Sequence, residues 1–443
     1  MDLHKQDRVL IFAPHNDDEI LGAGGILQQY KDVGAKVKIV IFTNGDGQIR
    51  RPRFLPLPRA NFIKLGYRRQ KESIRALKTL DFSSEDLHFL GYPDRGLGKL
   101  WTTNWDYNSL FHSRFTGSTH SPYDNSYRQN APYCGKSVAK DLREILWDFK
   151  PNVVFFPHPN DSHSDHWATS GFVTYSLSQW KSGNRGSPNS VRSFSYLVHR
   201  GKFPSPRGQY LEASLDPPAE LMVLDTEWEK VPLPLEERQR KLLAISKYRS
   251  QTQLMRKYLR SFARANELFG KVPPISLESS TEFPESHESF PALFPTREDD
   301  RAITSYLDPK RRSRLASLRR YTDIKSVQLQ EQNSGLIEIK VRFYNRFYGR
   351  NEVRTTIKPL SPANGSRADS SSFTFYYRKN KLYVNGENTA EKREIDFEID
   401  PRAFTLRLPK SEIQAPEKMI ISVELLRKGA PFARSANRLI EVQ

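Results

Sequence analysis

The stretch VLIFAPHNDDEILGAGG, residues 9–25, carries an apolar run into His15, then three consecutive acids, then a glycine-rich segment. Val9 to Phe12 is short and wholly apolar, as expected of a strand covered on both faces. Ile20, Ile26, Leu27 and Tyr30 follow at approximately helical spacing, and Gly34 is a natural helix stop. VKIVIFTNG, residues 37–45, then predicts a second strand ending in a turn. A strand, a crossover helix and a second strand of these lengths imply a parallel pair with right-handed crossover. Asp17, Asp18 and Glu19 therefore fall at the carboxyl end of the first strand, where open α/β sheets place their ligands. Three adjacent carboxylates repel one another, so either water or something positive must hold them there.

The same alternation continues outward. Residues 68–82, RRQKESIRALKTLDF, place Ile74, Leu77 and Leu80 at helical spacing, and DLHFLGYPD (86–94) is a short strand running into a loop. Residues 95–132 are rich in Trp, Tyr, Asn, Ser and Thr without clear periodicity, long enough to be a functional lid or an insertion. VAKDLREILWDFKP (138–151) predicts an amphipathic helix and NVVFFPHPND (152–161) another buried strand. HWATSGFVTYSLSQW (166–180) reads as helix and SFSYLVHRG (193–201) as strand, and residues 236–270 read as one long basic helical run. Residues 272–300, crowded with Pro, Ser and Glu, predict a linker or an irregular wrap. Period-two segments follow at IEIKVRF, FTFYYRKNKLYVNGE, EIDFEID, FTLRLP and MIISVELL. The expected organisation is an α/β domain over 1–270 with its insertion at 95–135, a linker over 271–330, and an antiparallel, sandwich-like β domain over 331–443.

Composition bounds the class. A chain of 443 residues exceeds what one hydrophobic core usually supports, so at least two domains are expected. No apolar run approaches the roughly 20 residues needed to cross a bilayer. The amino terminus has no basic segment followed by a long apolar one, so the expectation is a cytoplasmic protein, or an exported one if its amino terminus is a trimmed one. Cys134 is the single cysteine, which excludes an internal disulfide and fits a small buried side chain. A net charge of +18 favours polyanionic neighbours, an anionic membrane surface among them. A nucleic-acid partner is not expected, because charge is unaccompanied by any recognition motif.

A second polar cluster, HPNDSHSDH at residues 158–166, also follows a predicted strand. Either cluster alone fits a solvated loop or acids favoured at a helix amino terminus. Two of them at strand ends of one sheet favour a divalent cation such as zinc, which accepts imidazole nitrogen and carboxylate oxygen and offsets the repulsion among the acids.

PHNDDE followed by LGAGG, with NDSHSDH about 140 residues on, resembles the PIG-L/LmbE-like N-acetylglucosaminyl deacetylases, whose motifs run PHPDDE and HxDH. RRQKE and LGYPDRGL resemble further family elements, and the likeness spans roughly residues 7–270. Asn16 departs from the usual proline without removing a ligand. The resemblance implies a Rossmann-like, mostly parallel sheet with helices on both faces. It implies zinc, or another divalent metal, on His15, Asp18 and His166. It makes Asp17 the general base, His163 a protonated stabiliser of the tetrahedral oxyanion, and Asp165 the carboxylate that orients His163. Arg69 and Asp94 match positions near the substrate. The implied reaction removes the N-acetyl group from a GlcNAc-type amino sugar in a glycolipid, other glycoconjugate or polysaccharide, releasing acetate and a free amine. The competing expectation is a non-catalytic glycan- or lipid-binding protein that retains a metal site.

Outside the motif core, Glu19 is expected to accept backbone N–H groups at the helix start. His158 and Asp161 are expected behind the ligands. Trp101, Trp105, Tyr107 and Tyr123 are candidates either for stacking on a sugar or for packing the insertion onto the sheet.

Overall fold

The computed structural model describes residues 1–47, 58–183, 191–222, 224–277, 324–332, 335–343, 346–347, 349–360, 371–385, 387–388 and 395–442. The chain divides into two compact units, Met1–Val272 and Pro273–Gln443.

The first unit is built on strands β1 (Arg8–Ala13), β2 (Lys36–Thr43), β3 (Leu87–Tyr92), β4 (Val153–Pro157), β5 (Arg192–Tyr196), β6 (Glu227–Pro232) and β7 (Asn266–Lys271). They form one sheet in the order β3-β2-β1-β4-β5-β7-β6. The first five are mutually parallel, and β7 runs antiparallel to both β5 and β6. The strand order reverses between β1 and β4, which opens a crevice at their carboxyl ends. Helices α1 (Asp18–Asp32), α2 (Arg59–Lys78), α3 (Leu97–Thr102), α4 (Gly135–Phe149), α5 (Ser164–Gly183), α6 (Leu235–Ser246) and α7 (Arg249–Arg260) complete the unit. Helices α1, α2, α6 and α7 pack as one group and α3, α4 and α5 as another. This is the covering on both faces that the continuous apolar strands require, and β1 from Val9 to Ala13 and β4 throughout are buried.

Two expectations are corrected. The basic run over 236–270 is not one helix: it breaks after Ser246 and again after Arg260, and Asn266–Lys271 is the strand β7. Leu268 and Phe269 lie in the main core. A short apolar run of this kind carries no period of its own, and the sheet supplies the hydrogen bonds that make it a strand. The expected linker over 271–330 is also interrupted, because β8 (Ile275–Leu277) and β9 (Ile324–Glu331) are strands of the second unit. Residues 278–323, most of that expected linker, lie outside the described residues.

The second unit continues with β10 (Leu336–Phe343), β11 (Asn351–Leu360), β12 (Phe373–Arg378), β13 (Lys381–Val384), β14 (Glu387–Asn388), β15 (Asp396–Asp400), β16 (Ala403–Pro409), β17 (Lys418–Arg427), β18 (Ala430–Arg434) and β19 (Arg438–Val442). One sheet runs β15-β16-β10-β9 and the other β14-β13-β12-β11-β17-β19-β8, with β18 on β17. Pairing is antiparallel except for β8 with β19. Alternate residues such as Ile337, Ile339 and Val341 of β10 share one buried cluster with Val353 and Ile357 of β11, so the two sheets enclose a core of their own. Among the described residues no helix is long and apolar enough to cross a membrane.

Candidate active site

At the carboxyl end of β1 the chain turns sharply. Pro14 accepts a backbone bond from Thr43 at the end of β2 (2.9 Å), and α1 begins at Asp18. Asp17, the residue just before the helix, has φ 121°, a conformation costly for a residue with a side chain. Glu19 offsets part of that cost: its Oε2 accepts from the Asp17 N–H (2.8 Å), and its Oε1 accepts from the Tyr248 hydroxyl (2.5 Å). The reading of Glu19 as a tie to the helix start is extended by this tyrosine, which lies far away in sequence.

The three acids meet three different fates. Burial opposes ionisation of Asp18, but His166 and His15 beside it hold the carboxyl well below the usual range. Its Oδ2 lies 3.0 Å from His15 Nδ1 and 3.0 Å from His166 Nε2. Burial pushes Asp17 up to about 8, with Asp18 and Glu19 adding to the rise and Arg69 working against it. Arg69 Nη2 stands 3.6 Å from Asp17 Oδ1.

The second cluster is fastened to the end of β5. Ser162 donates its N–H and its hydroxyl to the His199 carbonyl (2.6 Å each), while Asp161 Oδ2 accepts from the N–H groups of Val198 (3.0 Å) and His199 (2.8 Å). Asp161 Oδ1 also accepts from the His163 N–H (2.9 Å). This network sets His163 beside His15, with ring centroids 4.8 Å apart, and turns His166 Nε2 toward Asp18.

His15, Asp18 and His166 thus converge. Both ring nitrogens of His166 are buried and lie near carboxylate oxygens, Nε2 at 3.0 Å from Asp18 and Nδ1 at 3.2 Å from Asp161, yet neither contact has hydrogen-bond geometry. A buried imidazole with uncommitted nitrogens beside an ionised carboxylate is a donor set that suits a divalent cation. Outer partners are in place as well: Asp161 beside His166 Nδ1, and Asp165 Oδ2 at 3.1 Å from His15 Nε2.

Asp165 and His163 make contacts other than those expected. The Asp165 carboxylate does not hold the His163 ring. It accepts from Arg95 N–H (2.6 Å) and Leu97 N–H (3.1 Å) and meets His15, while the Asp165 backbone N–H donates to His163 Nδ1 (3.2 Å). Burial and the neighbouring His15, His166, His199 and Arg95 push His163 well below its ordinary value, against the imidazolium expected of it. Because Nδ1 accepts, the ring proton of neutral His163 sits on Nε2. Asp94 lies 3.5 Å from His15 Nε2 and accepts from the Gly47 N–H (2.8 Å), so its contacts are with the site's own residues. Arg69 is buried, donating to the carbonyls of Gly45 (2.9 Å) and Asn16 (2.6 Å), which makes it the counter-charge of Asp17 and the clasp of two strand ends.

His158 leaves the site, stacking on Trp228 with its Nε2 3.3 Å from the Thr226 hydroxyl. Trp101 and Trp105 pack on Phe172 and Tyr175 of α5, and the buried Tyr123 donates to Asp46 (2.6 Å). These three therefore pack the insertion, and of the four aromatic candidates only Tyr107 is exposed. Sequence reading missed Asp46, His199, Tyr248 and Tyr258. His199 alone carried a local signal, a histidine directly after the apolar run of a strand.

A family model described as PIG-L, GlcNAc-PI de-N-acetylase, matches residues 10–176. A curated 1D-myo-inositol 2-acetamido-2-deoxy-alpha-D-glucopyranoside deacetylase from Mycobacterium sp. (strain KMS) is 29% identical over 182 residues, covering 39% of this chain and 52% of the relative. The chain thus spans about half the length of the curated relatives it matches. Among solved structures, N,N'-diacetylchitobiose deacetylase from Pyrococcus horikoshii is 20% identical at a TM-score of 0.37, covering 61% of this chain and 86% of its own. A conserved protein from Thermus thermophilus is likewise 20% identical at 0.37, covering 63% and 100%.

Proposed function

Residues 10–176 being a PIG-L family domain, we propose that the chain is a divalent-metal-dependent deacetylase that cleaves the N-acetyl group of a GlcNAc-type amino sugar carried by a glycoconjugate. The observation that carries the reading is the convergence of His15, Asp18 and His166 beside a buried, strained Asp17 and a His163 ring packed against His15. His15, Asp18 and His166 would hold the cation, zinc being the first choice for this donor set. Such an ion supplies Lewis-acid polarisation of the acetyl carbonyl and eases deprotonation of water.

The remaining steps belong to the chain's own side chains. Asp17 takes a proton from water as its oxygen attacks the acetyl carbon, with Arg69 nearby to favour the carboxylate before transfer. His163 donates its Nε2 proton as a hydrogen bond to the oxygen on which negative charge develops; a neutral imidazole serves this role without giving up its proton. The C–N bond then breaks, protonated Asp17 returns its proton to the departing nitrogen, and acetate and a free amine result. Its raised pKa suits Asp17 to carry that proton.

The test is an acetate-release assay on N-acetylated monosaccharides, glycolipids and chito-oligomers, before and after chelator dialysis and on adding back Zn2+ or Co2+. Release that vanishes with chelator and returns with metal is expected. Chelator-resistant release, or glycan binding without release on any substrate, would sink the reading.

A further inference from the structure

His199 lies just past the end of β5 and has no part in the motifs of the resemblance. One of its ring nitrogens lies with ligand atoms of Asp18 and His166 in a group whose members are all within 4.8 Å of one another. Its ring centroid is 4.7 Å from that of His166 and 5.3 Å from that of His163. The backbone of His199 is bonded through both N–H and C=O to the loop that delivers His166, so the two histidines are set by one network. Asp161 Oδ2 serves both, accepting from the His199 N–H at 2.8 Å and lying 3.2 Å from His166 Nδ1.

The far side of the ring is organised too. Tyr258 stacks on His199 with centroids 5.8 Å apart, and its hydroxyl lies 2.7 Å from the Val198 carbonyl and 3.1 Å from His199 Nδ1. A carbonyl can only accept, so the Tyr258 proton points to Val198 and its oxygen accepts from His199 Nδ1–H. That tautomer leaves the lone pair on Nε2, the nitrogen a cation would take. An imidazole whose other N–H is engaged by an oxygen is the usual arrangement of a metal-binding histidine.

Resting on the metal reading above, we propose that His199 is a fourth protein ligand of the cation, joining His15, Asp18 and His166 through Nε2. The donor set then becomes three imidazoles and one carboxylate, and Tyr258 is the positioning residue that fixes the tautomer of His199. A water or carbonyl oxygen would add as a fifth donor, a coordination number zinc accepts during reaction.

The experiment loads chelator-stripped full-length chain with Co2+ and Zn2+ and measures Kd by competition with a chromophoric chelator, together with the visible absorption of bound Co2+. Wild type should bind one ion per chain. His199→Ala should raise Kd by more than about 100-fold and shift the Co2+ band, and Tyr258→Phe should raise Kd by about 10-fold, the low end of what outer partners contribute. His199→Asn is read in place of the alanine variant if circular dichroism shows that the latter does not fold. If the His199 variant keeps the wild-type Kd and spectrum while His166→Ala loses binding, His199 is not a ligand and the metal reading stands, even where turnover falls. If wild type binds no divalent ion, both the ligand assignment and the metal-dependent reading fall.

Discussion

Asp17 is held in a strained backbone conformation worth on the order of 1–3 kcal/mol, and the two acids that follow it have other work. Asp18 faces two imidazoles and Glu19 faces a backbone N–H and Tyr248, which leaves Asp17 as the acid of the triplet available to move a proton. Asp17→Asn should lower turnover by about 100-fold or more, as loss of a general base does, while metal content by atomic absorption stays at the wild-type level. Near-normal acetate release from that variant would move the base elsewhere. Arg69 supplies the sign of a pH prediction. Its charge favours the Asp17 carboxylate against the burial that pushes the group up to about 8. Arg69→Met should raise the Asp17 pKa further, so the acid limb of kcat/KM shifts to higher pH; an unmoved or lowered limb would show that Arg69 does not tune the base. The pairing of His15, Asp17 and Asp18 with His163 and His166 was legible in sequence because each motif sits at a strand end. The tautomer of His163 and the true partner of Asp165 were not, since both depend on which backbone N–H lies opposite.

Helix α1 shows how an element can be built against its own propensity. Glycine costs about 1 kcal/mol relative to alanine in a helix interior, yet Gly22, Gly24 and Gly25 all lie in α1. A Cβ at Gly22 would stand 2.3–2.7 Å from the Tyr196 ring, and that ring is pinned by its hydroxyl bond to the Phe12 carbonyl (2.7 Å). Gly22→Ala should therefore destabilise the protein by about 1–3 kcal/mol, the cost of overpacking, despite the better helix former; urea unfolding reads the sign directly. Behind the same helix, Glu267 of β7 accepts from the N–H groups of Gly25 (2.6 Å) and Ile26 (2.8 Å), and Lys241 of α6 bonds Glu267 (2.5 Å) and the Leu21 carbonyl (3.0 Å). Both partners are fully buried. Lys241→Met would leave the Glu267 charge uncompensated and should cost about 3–5 kcal/mol, measurable as a fall in the denaturation midpoint. A variant as stable as wild type would mean that the pair is dispensable. Reading residues 236–270 as one helix hid this arrangement, because basic residues at helical spacing look alike whether the chain continues or breaks, and the strand around Glu267 is recognisable only beside β5 and β6.

On the scale of the whole molecule, every described residue of the site lies within Met1–Val272, and each unit has its own hydrophobic core. A fragment of residues 1–272 should consequently fold, bind one metal ion and release acetate from small N-acetylated sugars at a rate within about 10-fold of the full chain; a fragment that folds but is inert would tie catalysis to the second unit. Alternating strand and helix patterns were enough, by themselves, to determine a parallel strand pair at the amino terminus and to set each cluster of acids and histidines just past a strand, because a buried strand and an amphipathic helix each carry a period in the local chain. That the two clusters meet was implied by the resemblance to the PIG-L/LmbE-like deacetylases, because periodicity puts each cluster at a strand end without fixing which strands are neighbours. Only the tertiary structure decided that Asp94 and Arg69 serve the site's own residues, that Tyr248 and Tyr258 stand behind Glu19 and His199, and that Lys241 and Glu267 brace α1. Those contacts join residues from 24 to 229 positions apart. A hydrogen bond across such a separation leaves no trace in local periodicity, because it depends on the packing that brings its two ends together.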